Sequence, residues 1–333
     1  MHDSRNIFIP SLQHNYTNFQ YPKSIMFDEY TFEELKAILI MQSFGGLSLL
    51  CIYVLMGLGL YVVFGQMKVI NMAHAEFLVI GSYTMCLASK FVIEVMPEFI
   101  NYYLWVAIPL AFVVAFIVGW IIEWILISRL YHRPLDTLLA TWGLSLIMQQ
   151  CFRTFIGARE MSATLPEWLM GSWAPTDIID IPINGLVILA TTIILTVGLV
   201  FFTNKTRWGL RMRSTSQNRQ MSQALGINTK VTDRFTFALA CGISGIGGAF
   251  LTTVVSTSPT AGTTYIVDSF LVLVLGGLGS LFGLVISGGF LALLSSILEF
   301  FMSGSVAKVW LYLIIFVVLA KFTKGLFSSN IRS

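Results

Sequence analysis

Apolar residues run through five long windows of this chain without a single charge, and the polar residues collect between them. The windows are 37–67, 99–122, 181–204, 235–267 and 269–298. Less pure apolar stretches cover about 77–95, 135–156 and 309–322. A helix needs roughly 20 apolar residues to cross the hydrocarbon of a bilayer, so each stretch predicts a crossing. The windows are apolar all round, unlike barrel strands, which alternate with a period of two. A continuous helix also pairs every backbone group within one segment, as lipid requires. Window 269–298 is too long for one crossing, and Gly276, Gly277, Gly279 and Gly283 mark the break of a down-and-up pair. The pattern predicts an all-α polytopic membrane protein with eight or nine transmembrane helices, some broken or re-entrant.

Composition agrees with the pattern. Of 333 residues, 56% are hydrophobic and 11% charged, and the mean hydropathy is +0.79. Soluble domains carry about a quarter charged residues, so the bilayer is the better solvent. Residues 1–41 form a polar tail without a signal-peptide pattern. Within it, "TFEELKAILI" (31–40) predicts a short amphipathic helix with Thr31 and Glu34 as a capping box. A membrane domain follows over 42–327, then a short tail, 328–333. Cys51, Cys86, Cys151 and Cys241 fall in apolar windows without metal-site spacing and read as buried thiols without disulfides.

Charge sets the expected orientation. Loop 204–234 carries Lys205, Arg207, Arg211, Arg213, Arg219, Lys230 and Arg234 against one acid, Asp233. Arg129, Arg133, Lys321, Lys324 and Arg332 lie in other segments expected on the same side, which the positive-inside rule makes cytoplasmic. Segments 96–102 and 157–182 belong outside. The second holds Trp168 and Trp173 beside Pro166, Pro175 and Pro182, and predicts an extended loop with interfacial anchors. Nine crossings place the N-terminal tail outside and the C-terminus in the cytoplasm of a cell-membrane protein.

Candidate chemistry begins at "KVINMAHAEF" (68–77), where Asn71, His74 and Glu76 fall within six positions. A metal site needs three or four ligands, yet His74 is the one histidine in a predicted membrane region, so no metal or other cofactor is expected. A proton relay would need further titratable steps. The remaining functional option is a helix break lining a polar path, with Glu76 near positive helix-dipole ends. Asp136, Thr137, Trp142, Gln149, Gln150 and Arg153 run along one span, with Gln149 and Arg153 on one face. Asp268 heads another. Intramembrane charge is costly and points to function, although Asp136, Asp268 and Arg153 also fit simple solvation near span ends. The glycine clusters 242–248 and 276–289 fit close helix packing, with Gly279 and Gly283 as a GxxxG, or broken helices, or both.

The basic loop predicts a short helix over 213–227 that stops at Gly226. Its Gln217, Asn218, Met221, Ala224 and Leu225 would suit a soluble partner, whereas its charge alone fits contact with anionic lipid headgroups. Nowhere does Gly precede Lys, so the chain has no nucleotide-cradling loop of that kind. Any ATP hydrolysis belongs to another polypeptide, and the chain reads as a transport subunit, not an enzyme.

Four ordered motifs then carry a resemblance. "INMAHAEFLVIGSYT" (70–84), "RPLDTLLATWGLSLIMQQ" (133–150), "SQNRQMSQALGI" (216–227) and "YIVDSFLVLVLGGLGSLFG" (265–283) together resemble permease subunits of branched-chain amino acid ABC importers. The run at 133–150 looks closest to the urea-transport type. The resemblance covers about 45–322 and departs at Ala75 and Ser214, where the family usually has Gly and Ala. It implies a second permease, cytoplasmic ATP-binding subunits and an extracytoplasmic solute-binding protein as partners, with membrane lipid and no nucleic acid. It places ATPase docking on Arg213, Gln217, Asn218, Ala224, Leu225 and Gly226, and a translocation path along Asn71, His74, Glu76, Trp142, Gln149, Gln150 and Asp268. The amide-rich path makes urea or a short amide the first expectation. A branched-chain amino acid is the alternative, and an ATP-independent channel for small neutral solutes is the second.

Overall fold

The computed structural model of the chain describes residues 32–67, 69–131, 133–176, 179–322 and 325–326. It is an all-α bundle. Among the described residues, seven helical spans are long and apolar enough to cross a membrane: 40–67, 74–95, 103–129, 183–205, 229–251, 281–301 and 304–321. Helix α1 (Phe32–Tyr61) continues as a π-helical turn (Val62–Met67) and breaks before α2 (His74–Val95). Helices α3 (Tyr103–Ile125) and α4 (Pro134–Phe155) follow. Helix α4 has the length of a span, about 33 Å at 1.5 Å per residue, but more polar residues. Helix α10 (Ala261–Gly276) is apolar and short. With these two, nine helices of 16 residues or more lie among the described residues.

The separate amphipathic helix expected over 31–40 does not form. From Phe32 the chain is already α1, because no breaker interrupts the run into the apolar window. Thr31, the side chain of Glu34 and the tails lie outside the described residues. Past α4, the loop expected to be extended contains a one-turn helix, α5 (Glu167–Met170), and a small antiparallel hairpin, β1 (Ser172–Thr176) with β2 (Ile179–Pro182). Trp168 is an anchor there: its ring stacks on Trp105 at 6.2 Å and its Nε1 donates to the Asn101 carbonyl at 2.9 Å.

Helix α6 (Ile183–Lys205) returns to the basic end. There α7 (Arg207–Gln217) and α8 (Arg219–Ala224) precede the central helix α9 (Thr229–Leu251). The glycine run 242–248 does not break α9; it packs it. A Cβ on Gly245 would strike Ala115 and the Ala111 carbonyl of α3, and one on Gly248 would strike the Leu78 carbonyl of α2. Ser82 of α2 also donates to the Gly248 carbonyl at 2.8 Å. Small residues let backbones approach this closely, and dispersion with short polar bonds then replaces the hydrophobic drive that lipid removes.

The second glycine cluster does break the chain. Gly277 and Gly279 sit at φ 94° and 99°, between α10 and α11 (Leu281–Phe301). Only glycine adopts that backbone without cost. Gly279 therefore lies in the turn, so Gly279 and Gly283 do not act as a helical GxxxG pair. Ser287 of α11 donates to the Val272 carbonyl of α10 at 2.6 Å and closes the hairpin. Helix α12 (Gly304–Lys321) completes the bundle. Leu326 donates from its backbone to Leu275, which puts the chain's last described residues at the basic end. Phe44 of α1 meets Gly185 at the opposite end.

Candidate functional site

The backbone from Val69 to Ala73 is irregular, with Val69, Asn71 and Ala73 buried, a combination that lipid alone would forbid. Local bonds satisfy part of it. Asn71 Oδ1 accepts from the Ala73 N–H at 3.0 Å, and the Ala73 carbonyl accepts from the Glu76 N–H at 3.0 Å. Helix α4 adds further bonds. Met72 donates from its backbone to Thr141 Oγ1 at 3.1 Å. Glu76, 1% exposed, accepts at Oε1 from Ser145 Oγ and Gln149 Nε2, both at 2.8 Å.

Helix α4 therefore presents a polar stripe to the break. Thr137, Thr141, Ser145 and Gln149 recur every four residues, and all four are buried. Residues four apart share a helix face. On the other side of the break, His74 Nε2 lies 2.7 Å from Ser244 Oγ of α9. Gly59 of α1 makes the room: a Cβ there would collide with both groups. Gly262 does the same at the start of α10, where a Cβ would lie 3.1 Å from Glu76 Cδ and Oε1.

Three buried polar atoms in this cluster have no hydrogen-bond partner among the described residues: Asn71 Nδ2, His74 Nδ1 and Glu76 Oε2. Leaving such an atom unpaired costs about 1–3 kcal/mol each. Buried polar groups are otherwise almost always satisfied, and here three unsatisfied atoms fall within six positions. Among the described residues no group of three His, Cys, Asp or Glu could hold a metal ion.

The seven path residues named from the sequence do not form one cluster. Asn71, His74, Glu76 and Gln149 come together. Trp142, 55% exposed, and Gln150 lie on the outward face of α4. Asp268 is buried, but in a separate network: Tyr312 Oη donates to its Oδ1 at 2.9 Å and Tyr53 Oη to its Oδ2 at 3.2 Å. It sits six residues beyond Gly262, about 9 Å along α10. Asp136 and Arg153 are exposed near the ends of α4. Ser145, Thr141 and Ser244 were not singled out from the sequence. The four-residue recurrence on α4 was the signal for the first two; Ser244, hidden in a glycine run, gave none.

The basic end holds a second feature. The expected single helix over 213–227 is two helices divided at Asn218, whose Oδ1 caps α8 by accepting from the Met221 N–H at 2.9 Å. The stop at Gly226 is real, with φ 80°. Gln217, Asn218, Met221, Ala224 and Leu225 are exposed, Leu225 by 75%. Arg213 is not on that face. It turns back, half-buried, and donates to the Asn204 carbonyl at the end of α6.

Comparison with known proteins adds the family. The model described as branched-chain amino acid transport system / permease component matches residues 42–319. The high-affinity branched-chain amino acid transport system permease protein LivH of Escherichia coli (strain K12) is 26% identical over 300 residues, covering 86% of this chain and 94% of that protein. A probable branched-chain amino acid transport permease protein LivH of Methanocaldococcus jannaschii is 24% identical over 264 residues, 76% of this chain and 78% of its own. The permease protein BraD of Pseudomonas aeruginosa, of a high-affinity branched-chain amino acid transport system, is 24% identical over 260 residues, 75% and 82%. No solved structure matches.

Proposed function

This chain belongs to the branched-chain amino acid transport system permease family, and from that premise we propose that it is the membrane-spanning permease subunit of an ATP-driven importer for branched-chain amino acids. The match over 42–319 is the observation that carries the reading. Members of this family work with a second permease, ATP-binding subunits and a solute-binding protein, and the chain is assigned the same company here. The named relatives support an amino-acid cargo, which the sequence ranked second, and they do not support urea. The geometry leans the same way. The amide nitrogen of Gln149 is engaged by Glu76 and Ser145, and Gln150 and Trp142 face outward, so these three do not assemble an amide-lined route for urea.

The break at 69–73 with Glu76 is the proposed polar step of the route. Glu76 Oε1 is held by two donors while Oε2 is unpartnered. That is the arrangement an α-ammonium group asks for, since a charged hydrogen bond is about twice as strong as a neutral one. The exposed face of α8 with Leu225 is the proposed ATPase contact, and it faces the cytoplasm by the positive-inside rule. The test is uptake into proteoliposomes holding the complex with its partner subunits and ATP, offered labelled leucine and labelled urea. Leucine uptake is expected; urea uptake without leucine uptake would overturn the cargo.

A further inference from the structure

At the basic end, outside the proposed route, a cavity of about 560 Å³ opens between four elements. Glu123 and Trp124 come from the end of α3, Arg129 and Tyr131 from the turn after it, Arg219 and Gln223 from α8, and Lys230 and Arg234 from the start of α9. Two of the cations are engaged. Arg234 Nε donates to Glu123 Oε2 at 3.0 Å, and Arg219 to Asp233 Oδ2 at 2.6 Å. Tyr131 Oη donates to Glu123 Oε1 at 2.9 Å, and its ring lies under the Arg219 guanidinium at 4.9 Å. Burial, then the nearby Asp233 and Glu123 carboxylates, push the Tyr131 phenol well above its ordinary range, so it stays a donor.

Arg129 and Lys230 have no ion-pair partner among the described residues and are exposed at this cavity. Four cations thus meet two carboxylates, an excess of two positive charges. The surroundings identify the anion. Trp124 stands 60% exposed at the rim, the place where tryptophan marks a membrane interface. Below it an outward apolar stripe on α3, Leu110, Val113, Ile117 and Ile121, runs from the bilayer to the cavity mouth.

We propose that this cavity binds the phosphate of an anionic phospholipid, whose acyl chains lie along α3, and that the bound lipid braces α8 against the membrane helices. Basic pockets between membrane helices suit such headgroups, with each nearby Lys or Arg contributing to binding. Arginine adds planar, bidentate recognition of phosphate oxygens. The lipid would join α3 and α9 to the segment proposed to meet the ATPase.

The experiment titrates the delipidated full-length chain with phosphatidylglycerol, phosphatidylcholine and inorganic phosphate, counting bound molecules by native mass spectrometry. One phosphatidylglycerol per chain is expected to bind at least tenfold tighter than phosphatidylcholine. The surface double variant R129Q/K230Q should weaken it about thirtyfold. Because both side chains are exposed, the variant's fold is checked independently by its thermal melt. Equal binding of the two lipids, or an unchanged affinity in the folded variant, would overturn the proposal. Displacement of the lipid by millimolar phosphate would make it a free-anion site instead. Loss of the lipid on assembly with the ATPase subunits would give the pocket to acidic side chains of that partner.

Discussion

Replacing Glu76 by Gln separates a transport role from a structural one. The variant keeps an amide oxygen to accept from Ser145 and Gln149, so the two 2.8 Å bonds that hold the side chain survive. It also removes an acid from a site only 1% exposed. Burying a neutral amide costs less than burying a charge, and the folded state should melt no lower than wild type. At the other oxygen the effect is opposite. An amide N–H₂ in place of Oε2 offers a donor to an ammonium group that also donates. A hydrogen bond to a charged group is worth about 1.5–3 kcal/mol, so the KM for leucine uptake should rise roughly tenfold to a hundredfold. Two measurements read this out: the thermal melt of the purified chain, and ATP-driven uptake at graded leucine concentrations. Unchanged uptake with an unchanged melt would refute the ammonium role. A melt that falls in step with activity would make Glu76 a packing residue.

Other substitutions probe the remaining joints. Leu225→Asp places a charge on the exposed face of α8 and should abolish ATP-dependent uptake without lowering the melting temperature; uptake at the wild-type rate would remove α8 from the ATPase contact. Gly226→Val forces a β-branched residue into φ 80° and should cost about 1–3 kcal/mol, read as a lowered melt. Gly81→Leu would drive a side chain into the Gly245 backbone and should abolish stable expression, whereas a folded variant would mean that α2 and α9 pack differently. Glu123→Gln removes the charge facing the partly exposed Arg234 and should destabilise by about 1–3 kcal/mol, with E123D partly restoring the melt.

Much of the architecture is legible in the sequence because lipid restricts it so strongly. Charge-free windows become spans, glycine with positive φ becomes the break at 277–280, and the polar run at Asn71–Glu76 becomes the start of α2 after an irregular segment that bonds to itself and to α4. What is hidden depends on distant partners. Asp268 reads as a residue near a span end, yet Tyr53 and Tyr312, far away in the chain, bury it. Arg213 reads as part of a basic docking surface, but the Asn204 carbonyl draws it back. Asn218 sits between two helix-forming runs, and only its cap to Met221 decides that they are two helices. The α4 stripe was readable as a period of four, but Trp142 and Gln150 are chemically louder than Thr141 and Ser145.

The central claim divides the work: this chain holds the route, and a separate protein burns the ATP. It is tested most directly by leucine accumulation in vesicles carrying the permease pair with and without the ATP-binding subunits. Accumulation against the gradient only when those subunits and ATP are both present is the predicted result. Uphill accumulation by the permease chains alone, or downhill flux indifferent to the subunits, would contradict it.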